Sequence, residues 1–220
     1  MALDHPFPPT RPATLQAREN RFVVLAEDEG GRPLRLHLPN SGRLRFLQPG
    51  TRLLYVPKAN PKTQGRVLLA EDQGHWVLLD SAQAEAALKP LVARLGYRFL
   101  RPQPGYAEGR FDALVEDQGR LRPLEMKSAT HVEGEVTCFP DAPSARARKH
   151  LAGLEAAGGL LIFALLNPRA RAFRPCPYDP AFAHALRAAA RRGLELHAIR
   201  AEISPEGLRW AEEVPVYFSP

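Results

Sequence analysis

The chain has 220 residues, of which 45% are hydrophobic and 25% charged, and this composition excludes wholesale disorder. Its 30 Lys and Arg residues outnumber its 24 Asp and Glu residues, so the net charge of +6 suits a polyanionic partner without establishing one. The longest apolar run, residues 160–166, is far shorter than the roughly 20 residues of a membrane span. We therefore expect a cytoplasmic protein that does not bind membranes.

Short apolar runs separated by turn residues predict strands, and no helix, over the first 80 residues. The runs are residues 22–25, 34–38, 53–56, 67–69 and 76–79. Five short strands at hairpin spacing are typical of an OB-type barrel, so we assign residues 1–80 to an OB-like domain. Small barrels need large side chains inside, which predicts that Phe22, Phe46, Tyr55 and Trp76 lie in the core.

Helices and strands alternate after residue 80, as in a mixed α/β domain. Helices are predicted over residues 81–95, where Pro90 either kinks one helix or separates two, between Ser144 and Gly158, and between Asp179 and Gly193. Strands are predicted over residues 111–115, 124–129, 160–166 and 194–199. The run 160–166 is apolar on both faces, which is typical of a covered central strand. We assign residues 81–220 to this second domain, so the chain is α+β overall.

The predicted hairpin before residue 130 carries the most specific chemical pattern. Side chains alternate along a strand, so Glu125 and Lys127 share one face, and the hairpin would bring Asp112 beside Glu125. Two acids and a lysine in this layout are typical of restriction-type phosphodiesterases, which makes Asp112, Glu125 and Lys127 the candidate catalytic residues. Asp112, Glu125 and the Met126 carbonyl would hold Mg²⁺ or Mn²⁺. Glu-x-Lys alone is a weak signal, since an exposed ion pair gives the same pattern.

The helix after Ser144 carries three cationic or proton-active residues on one arc, namely Arg146, Lys149 and His150. At about 100° per residue, the adjacent arc is an apolar stripe that begins at Ala147 and should be buried. The three residues could grip a phosphate backbone above the acidic pair. A solvated helix face explains the same spacing equally well.

The two cysteines, Cys138 and Cys176, do not have a spacing typical of a zinc site. Thiols in a reducing cytoplasm stay free, and a free cysteine is most often a small buried apolar group. We therefore expect both thiols to be reduced and buried.

Further stretches complete an ordered pattern over most of the chain. They are Leu38-Pro39-Asn40-Ser41-Gly42-Arg43, Asn60-Pro61-Lys62, Arg110-Phe111-Asp112, Glu125-Met126-Lys127-Ser128-Ala129-Thr130 and Phe139-Pro140-Asp141-Ala142, then Arg146, Lys149-His150-Leu151, Asp179-Pro180 and Phe182-Ala183. This pattern resembles the sugar fermentation stimulation protein (SfsA) family. The resemblance implies an N-terminal OB-fold, a C-terminal domain similar to the PD-(D/E)xK nucleases, and DNA binding. The family's Asn-Thr before the first helix is Asp80-Ser81 here, so no role is carried over to those side chains.

Two barrel loops are candidate nucleic-acid contacts. Residues 39–43 have turn composition, and Arg43, Arg45 and Lys62 would present charge to a phosphate chain as OB-folds do. A turn alone also explains residues 39–43. With Arg146, Lys149 and His150, these residues form the predicted nucleic-acid interface.

The sequence as a whole predicts a metal-dependent nuclease with little sequence specificity, acting on DNA or, alternatively, on RNA. Two other interpretations stay open: a non-enzymatic DNA-binding regulator on a nuclease-like scaffold, and hydrolysis of another phosphoester. The intact acidic pair favours an enzyme, because acids without a metal repel a polyanion. Glu85 and Glu108 are weak candidates for a third acidic ligand. The oligomeric state is open, with a homodimer as one alternative.

Overall fold

The N-terminal strands curl into a barrel in the computed structural model, which describes residues 2–40, 42–58, 62–106 and 109–218. The first seven strands are β1 (His5–Pro6), β2 (Arg11–Asn20), β3 (Val23–Glu27), β4 (Pro33–His37), β5 (Arg52–Pro57), β6 (Gly65–Asp72) and β7 (His75–Leu78). Strands β2 to β7 form a sheet in the order β4-β3-β2-β5-β6-β7, and a parallel pairing of β4 with β6 closes it. The expected five-stranded OB-type barrel, β2 to β6, is confirmed.

Strand β2 is the barrel strand that the apolar pattern does not predict, although it pairs with both β3 and β5. Of its ten residues, only Ala13 and Leu15 are buried. Its register with β3 shifts after Leu15 and again after Arg18. A half-buried strand is recognised in a sequence by regular alternation of apolar and polar residues. Strand β2 is mostly polar and its register shifts, so this pattern does not predict it.

The remaining elements build a mixed sheet covered by helices. They are α1 (Ser81–Ala86), α2 (Leu88–Arg94), β8 (Arg98–Pro102), β9 (Gly105–Tyr106), β10 (Gly109–Arg110), β11 (Ala113–Asp117), β12 (Arg120–Ala129), β13 (Val132–Glu133), β14 (Val136–Phe139), α3 (Ala145–Ala156), β15 (Leu160–Leu165), β16 (Ala172–Pro175), α4 (Pro180–Arg191), β17 (Glu195–Ser204) and β18 (Gly207–Glu213). The large sheet has the order β1-β18-β17-β15-β12-β11-β8, with β12, β15 and β17 parallel. Strands β13, β14 and β16 form a smaller sheet. The mixed α/β second domain is therefore confirmed.

The central strand β15 separates two hydrophobic cores. Its residues Ile162 and Ala164 pack with α1 and α2, whereas Leu161 and Phe163 pack with α3 and α4. All six of its residues are buried, which confirms the predicted strand covered on both sides. In the described part of the chain, helices are too short or too polar to cross a membrane.

The barrel is joined to the large sheet through a shared core. Leu68 and Leu69 of β6 and Leu78 of β7 belong to the same hydrophobic cluster as α2 and β12. The Leu78 N–H also donates to the Leu166 carbonyl at 3.1 Å, and β1 pairs with β18. The first 80 residues thus contribute strands to both sheets, and the barrel packs against the large sheet.

The cysteines and one aromatic residue differ from expectation. Cys138 and Cys176 form a disulfide with their Cα atoms 4.8 Å apart, so the expectation of reduced thiols is wrong. Parallel pairing of β14 with β16 brings the two together, and both are buried as expected. Phe22 lies in the turn between β2 and β3 with 45% of its surface exposed, so its assignment to the core is also wrong. Tyr55 is buried, in agreement with the prediction.

Candidate metal and nucleic-acid site

The β11–β12 hairpin places Asp112 opposite Glu125, as the sequence predicts. Ala113 pairs with Leu124 in this hairpin, and the Asp112 N–H donates to the Leu124 carbonyl at 3.0 Å. The Met126 N–H donates to Asp112 Oδ2 at 2.7 Å. The backbone of β12 therefore fixes the carboxylate of Asp112, the residue directly before β11.

Electrostatics also couple the two acids. Burial, and then the neighbouring Glu125 carboxylate, raise the pKa of Asp112 to about 6, while the Met126 N–H and the Lys127 ammonium oppose the shift. A cation bound beside Asp112 would stabilise the ionised carboxylate, which burial and Glu125 disfavour.

Glu125 and Lys127 point to the same side of β12, as expected from alternation. Lys127 Nζ donates to Glu125 Oε1, and His150 Nδ1 lies 2.7 Å from the same oxygen. Only 3% of Glu125 is exposed, and its second oxygen, Oε2, is buried without a hydrogen-bond partner among the described residues. We call Asp112, Glu125 and Lys127 the acid–lysine cluster.

The donor set of this cluster fits a hard divalent cation. A buried carboxylate oxygen without a partner is costly, and a cation that takes oxygen ligands satisfies it. The part of the chain that the structure describes holds no ready-made group of three or more His, Cys, Asp or Glu side chains, so the two carboxylates must be completed by other oxygens. Met126 buries its side chain in the core, which leaves its backbone carbonyl as the predicted ligand.

The candidate third acid Glu85 lies on α1, exposed to solvent. Partial burial, and then the carboxylates of Asp80 and Glu125, raise its pKa. Glu85 is therefore within the electrostatic reach of the cluster. The other candidate, Glu108, lies outside the described residues.

Helix α3 brings one of its three predicted residues into contact with the acid–lysine cluster. Ser144 caps the helix by accepting from the Ala147 N–H at 3.1 Å, and Ala147 packs in the core as predicted. His150 turns to Glu125, whereas Arg146 and Lys149 are exposed. Of the three predicted residues, His150 thus contacts the acid–lysine cluster, whereas Arg146 and Lys149 lie at the surface.

The barrel loop at residues 39–45, which we call the arginine loop, contacts the second domain. The Arg43 N–H donates to Asp141 Oδ2 at 2.7 Å. Within the predicted turn, the Gly42 N–H donates to Asn40 Oδ1 at 2.9 Å, and Ser41 lies outside the described residues. A Cβ atom at Gly42 would stand 2.6 Å from Asp141 Oδ2, so glycine permits this close approach.

An aromatic ring of the second domain supports the arginine loop. The guanidinium groups of Arg43 and Arg45 lie 4.5 and 5.6 Å from the centre of the Tyr178 ring. The Tyr178 hydroxyl donates to Glu133 Oε1 at 3.0 Å, which orients the ring. Sequence reasoning missed Tyr178, because no spacing or motif connects it with a loop more than 130 residues away. Asp141 was part of the family pattern without an assigned role.

Lys62 lies in a separate groove on the outside of the barrel. The groove is lined by Val23, Arg35, His37, Val56, Pro57, Lys58, Lys62, Thr63, Gly65 and Arg66. Arg35 donates to the Lys62 carbonyl at 2.7 Å and pairs with Glu19, while Arg66 pairs with Asp80. The predicted interface therefore has two basic regions, the arginine loop and this groove. Asn60 and Pro61 of the family pattern lie outside the described residues.

Comparison with known proteins finds two domain models along the chain. The SfsA N-terminal OB domain model matches residues 17–79, and the sugar fermentation stimulation protein RE domain model matches residues 77–207. A sugar fermentation stimulation protein homolog from Pelobacter propionicus is 33% identical over 228 residues, covering 95% of this chain and 98% of its own. Another, from Natranaerobius thermophilus, is 35% identical over 220 residues and covers 91% of each chain.

One solved structure matches over nearly the whole length. It is SfsA from Pyrococcus furiosus in complex with Ca²⁺, which superposes with a TM-score of 0.88 at 28% identity and covers 99% of this chain and 100% of that one. With the domain models and the curated relatives, this match shows that the chain belongs to the sugar fermentation stimulation protein (SfsA) family.

Proposed function

We propose that the chain is a divalent-cation-dependent nuclease that hydrolyses phosphodiester bonds with little sequence preference, in DNA or alternatively in RNA. The observation that carries the proposal is the buried Oε2 of Glu125, without a partner in the described part of the chain and opposite Asp112, with Lys127 on the same strand face. A buried carboxylate oxygen without a hydrogen bond is costly, and a bound cation would remove that cost. A cation site explains why one oxygen is left open.

Asp112, Glu125 and the Met126 carbonyl would hold Mg²⁺ or Mn²⁺. The related protein from Pyrococcus furiosus was solved in complex with Ca²⁺, another hard cation that prefers oxygen ligands, and this supports a cation in the family. When bound, the cation polarises the scissile phosphate and lowers the pKa of a coordinated water.

Lys127 and His150 have different parts in this proposal. The Lys127 ammonium lies at the edge of the cluster, where it can donate to a phosphate oxygen and orient the attacking water. His150 contacts Glu125 Oε1 and so fixes which carboxylate oxygen faces the open position. His150 is therefore a positioning residue, and Lys127 a catalytic one.

The basic side chains bind the phosphate backbone in this proposal. Arg43 and Arg45 lie on the arginine loop, Arg146 and Lys149 on α3, and Lys62 in the barrel groove. Contacts of this kind are to phosphates, which carry no base information. Binding should therefore be nearly independent of sequence and should weaken steeply with salt.

The test is cleavage of end-labelled single- and double-stranded DNA and RNA in the presence of Mg²⁺, Mn²⁺ or EDTA. Wild type should cut with either metal and not in EDTA. Lys127→Ala should not cut but should still bind, since one lysine is one phosphate contact among several. The matched control is Lys89→Ala, which removes an exposed lysine of α2 and should cut normally. Binding without cleavage under any metal would favour the regulator interpretation.

A calorimetric titration tests the metal site independently of activity. Mn²⁺ should bind wild type and lose most of its affinity for Asp112→Asn. Asp117→Asn is the control, because Asp117 lies at the other end of β11 and pairs with Arg122. Equal affinities of wild type and Asp112→Asn would overturn the metal assignment.

A further inference from the structure

The exposed ring of Phe22 is an aromatic surface that the site described above does not use. It lies in the β2–β3 turn with 45% of its surface open to solvent. Its backbone is held on both sides, since its N–H donates to Asn20 Oδ1 at 2.8 Å and its carbonyl accepts from the Leu38 N–H at 2.7 Å. The ring is therefore presented from a fixed position.

A cation covers part of this ring. The Arg21 guanidinium lies 4.6 Å from the ring centre, and 45% of the surface of Phe22 stays exposed to solvent. A nucleobase is a planar group that can stack on an exposed ring, and its phosphate would meet the positive charge of Arg21. Aromatic rings flanked by arginine are typical of surfaces that bind unpaired bases.

The turn lies at the same end of the barrel as the arginine loop. Leu38, which bonds to Phe22, directly precedes that loop, and Arg18 of β2 donates to the Arg43 carbonyl at 2.8 Å. Phe22 and Arg21 therefore lie beside the loop that carries Arg43. A nucleic acid bound at Arg43 would therefore have the Phe22 ring beside it.

We propose that Phe22 and Arg21 form a stacking platform for an unpaired nucleobase, which makes single-stranded nucleic acid the preferred ligand of the barrel. This inference rests on the proposed function, because it assumes that the chain binds nucleic acid. In a duplex the faces of each base are covered by its neighbours, so a paired base cannot stack on the ring without leaving the helix. The platform therefore discriminates between strand states and not between sequences.

Leu25 provides a matched control for the ring. It is an exposed apolar residue of the neighbouring strand β3, with 40% of its surface open, and it has no π-face to stack on a base. Truncating it removes a similar exposed apolar surface from the same region of the barrel. A loss of single-strand affinity in Phe22→Ala but not in Leu25→Ala would indicate stacking rather than general hydrophobic contact.

The experiment measures binding of single- and double-stranded oligonucleotides of equal length in EDTA, over a range of salt concentrations. Phe22→Ala should lose about tenfold in affinity for single strands and little for duplexes. Phe22→Trp should restore the affinity, and Leu25→Ala should match wild type. The salt dependence of Phe22→Ala should keep its slope, because stacking releases no counterions. A 2-aminopurine placed in the strand should be quenched by wild type and not by Phe22→Ala.

The outcomes separate this inference from the proposed function. If Phe22→Ala binds single strands as tightly as Leu25→Ala does, the platform is overturned while the nuclease proposal stands. An equal loss for single strands and duplexes also overturns it. If wild type binds neither form, both proposals fail together. Thermal unfolding of each variant establishes that the comparison is made between folded proteins.

Discussion

The acid–lysine cluster and the arginine loop reach their positions by different physical routes. Asp112, Glu125 and Lys127 are placed by the pairing of β11 with β12 beside the buried centre of the large sheet. The arginine loop is placed by contacts across the molecule, to Asp141 and Tyr178. The proposed chemistry thus depends on backbone register, whereas the proposed nucleic-acid binding depends on the junction between the barrel and the large sheet. A change to one region should leave the other nearly intact.

The sharpest way to test this separation is Glu125→Gln. The amide keeps the shape of the side chain but removes the charge that Lys127, His150 and the proposed cation share. Single-turnover cleavage should fall by about a thousandfold or more, while nucleic-acid affinity in EDTA stays within a few-fold of wild type. Glu155→Gln, which breaks the exposed ion pair of α3 with Arg192, is the control and should cleave normally. Equal losses of cleavage and affinity would contradict the separation.

The disulfide gives the next largest effect, and it acts on the side of the arginine loop. The Cys138–Cys176 bond closes a separation of 38 residues and lies close to both Asp141 and Tyr178 in the sequence. Reduction should lower the free energy of unfolding by about 2–4 kcal/mol. It should also weaken nucleic-acid binding and leave Mn²⁺ affinity unchanged.

Urea unfolding with and without a phosphine reductant measures this effect. The double variant Cys138→Ala/Cys176→Ala should be as unstable as reduced wild type and should not respond to reductant. A wild-type protein that is indifferent to reductant, with two titratable thiols, would refute the disulfide.

The sequence could predict the acid–lysine cluster because local rules determine it. Alternation along β12 places Glu125 and Lys127 on one face, and the hairpin brings Asp112 to them. The helix caps at Ser144 and Asp179 and the buried strand β15 follow from equally local patterns. Each of these features depends on residues that are close in sequence or on one repeated period.

Features that depend on distant partners could not be predicted. Tyr178 meets Arg43 only because the barrel packs on the large sheet, and no local signal connects them. The disulfide likewise needs the pairing of β14 with β16. The need of a small barrel for large interior side chains predicts a buried Phe22, yet Phe22 lies in the turn and stays exposed.

A third test uses the titration of Asp112 in the metal-free protein. Burial and the Glu125 carboxylate raise the pKa of Asp112 to about 6, above the value of about 4 expected in the unfolded chain. The contribution of Asp112 to the free energy of unfolding is therefore fully present below about pH 4, and this contribution is lost as the pH rises through 6. Asp112→Asn should be more stable than wild type by roughly 2 kcal/mol at pH 8 and equal to it at pH 4.

Chemical unfolding in EDTA at both pH values measures this difference. Asp117→Asn is the control, since Asp117 pairs with Arg122 and should gain nothing at pH 8. Added Mn²⁺ should reverse the order at pH 8 by stabilising only the wild type. A gain that persists at pH 4 would show that the effect does not come from ionisation of Asp112.

A smaller effect is expected from Gly42→Ala. The added methyl group would stand 2.6 Å from Asp141 Oδ2, so the Asp141 carboxylate must turn away and lose the hydrogen bond that it accepts from the Arg43 N–H. Nucleic-acid affinity should fall several-fold, while the cleavage rate at saturating substrate and the Mn²⁺ affinity stay unchanged. Gly30→Ala is the control, because the nearest atom to its added methyl group is 3.4 Å away. A fall in the saturated cleavage rate would show that the loop contributes to chemistry.

The smallest effects are those of single phosphate contacts, and they measure how independent the two regions are. Arg43→Ala and Lys149→Ala should each lower affinity a few-fold for all sequences and reduce the slope of log affinity against log salt by about one. Because Arg43 lies on a barrel loop and Lys149 on α3, we expect their effects to add in free energy. A salt titration of wild type, both variants, the double variant and Lys89→Ala as control tests this. An unchanged slope for Arg43→Ala would mean that the arginine loop is only a turn, because a residue that touches phosphate must change counterion release when it is removed.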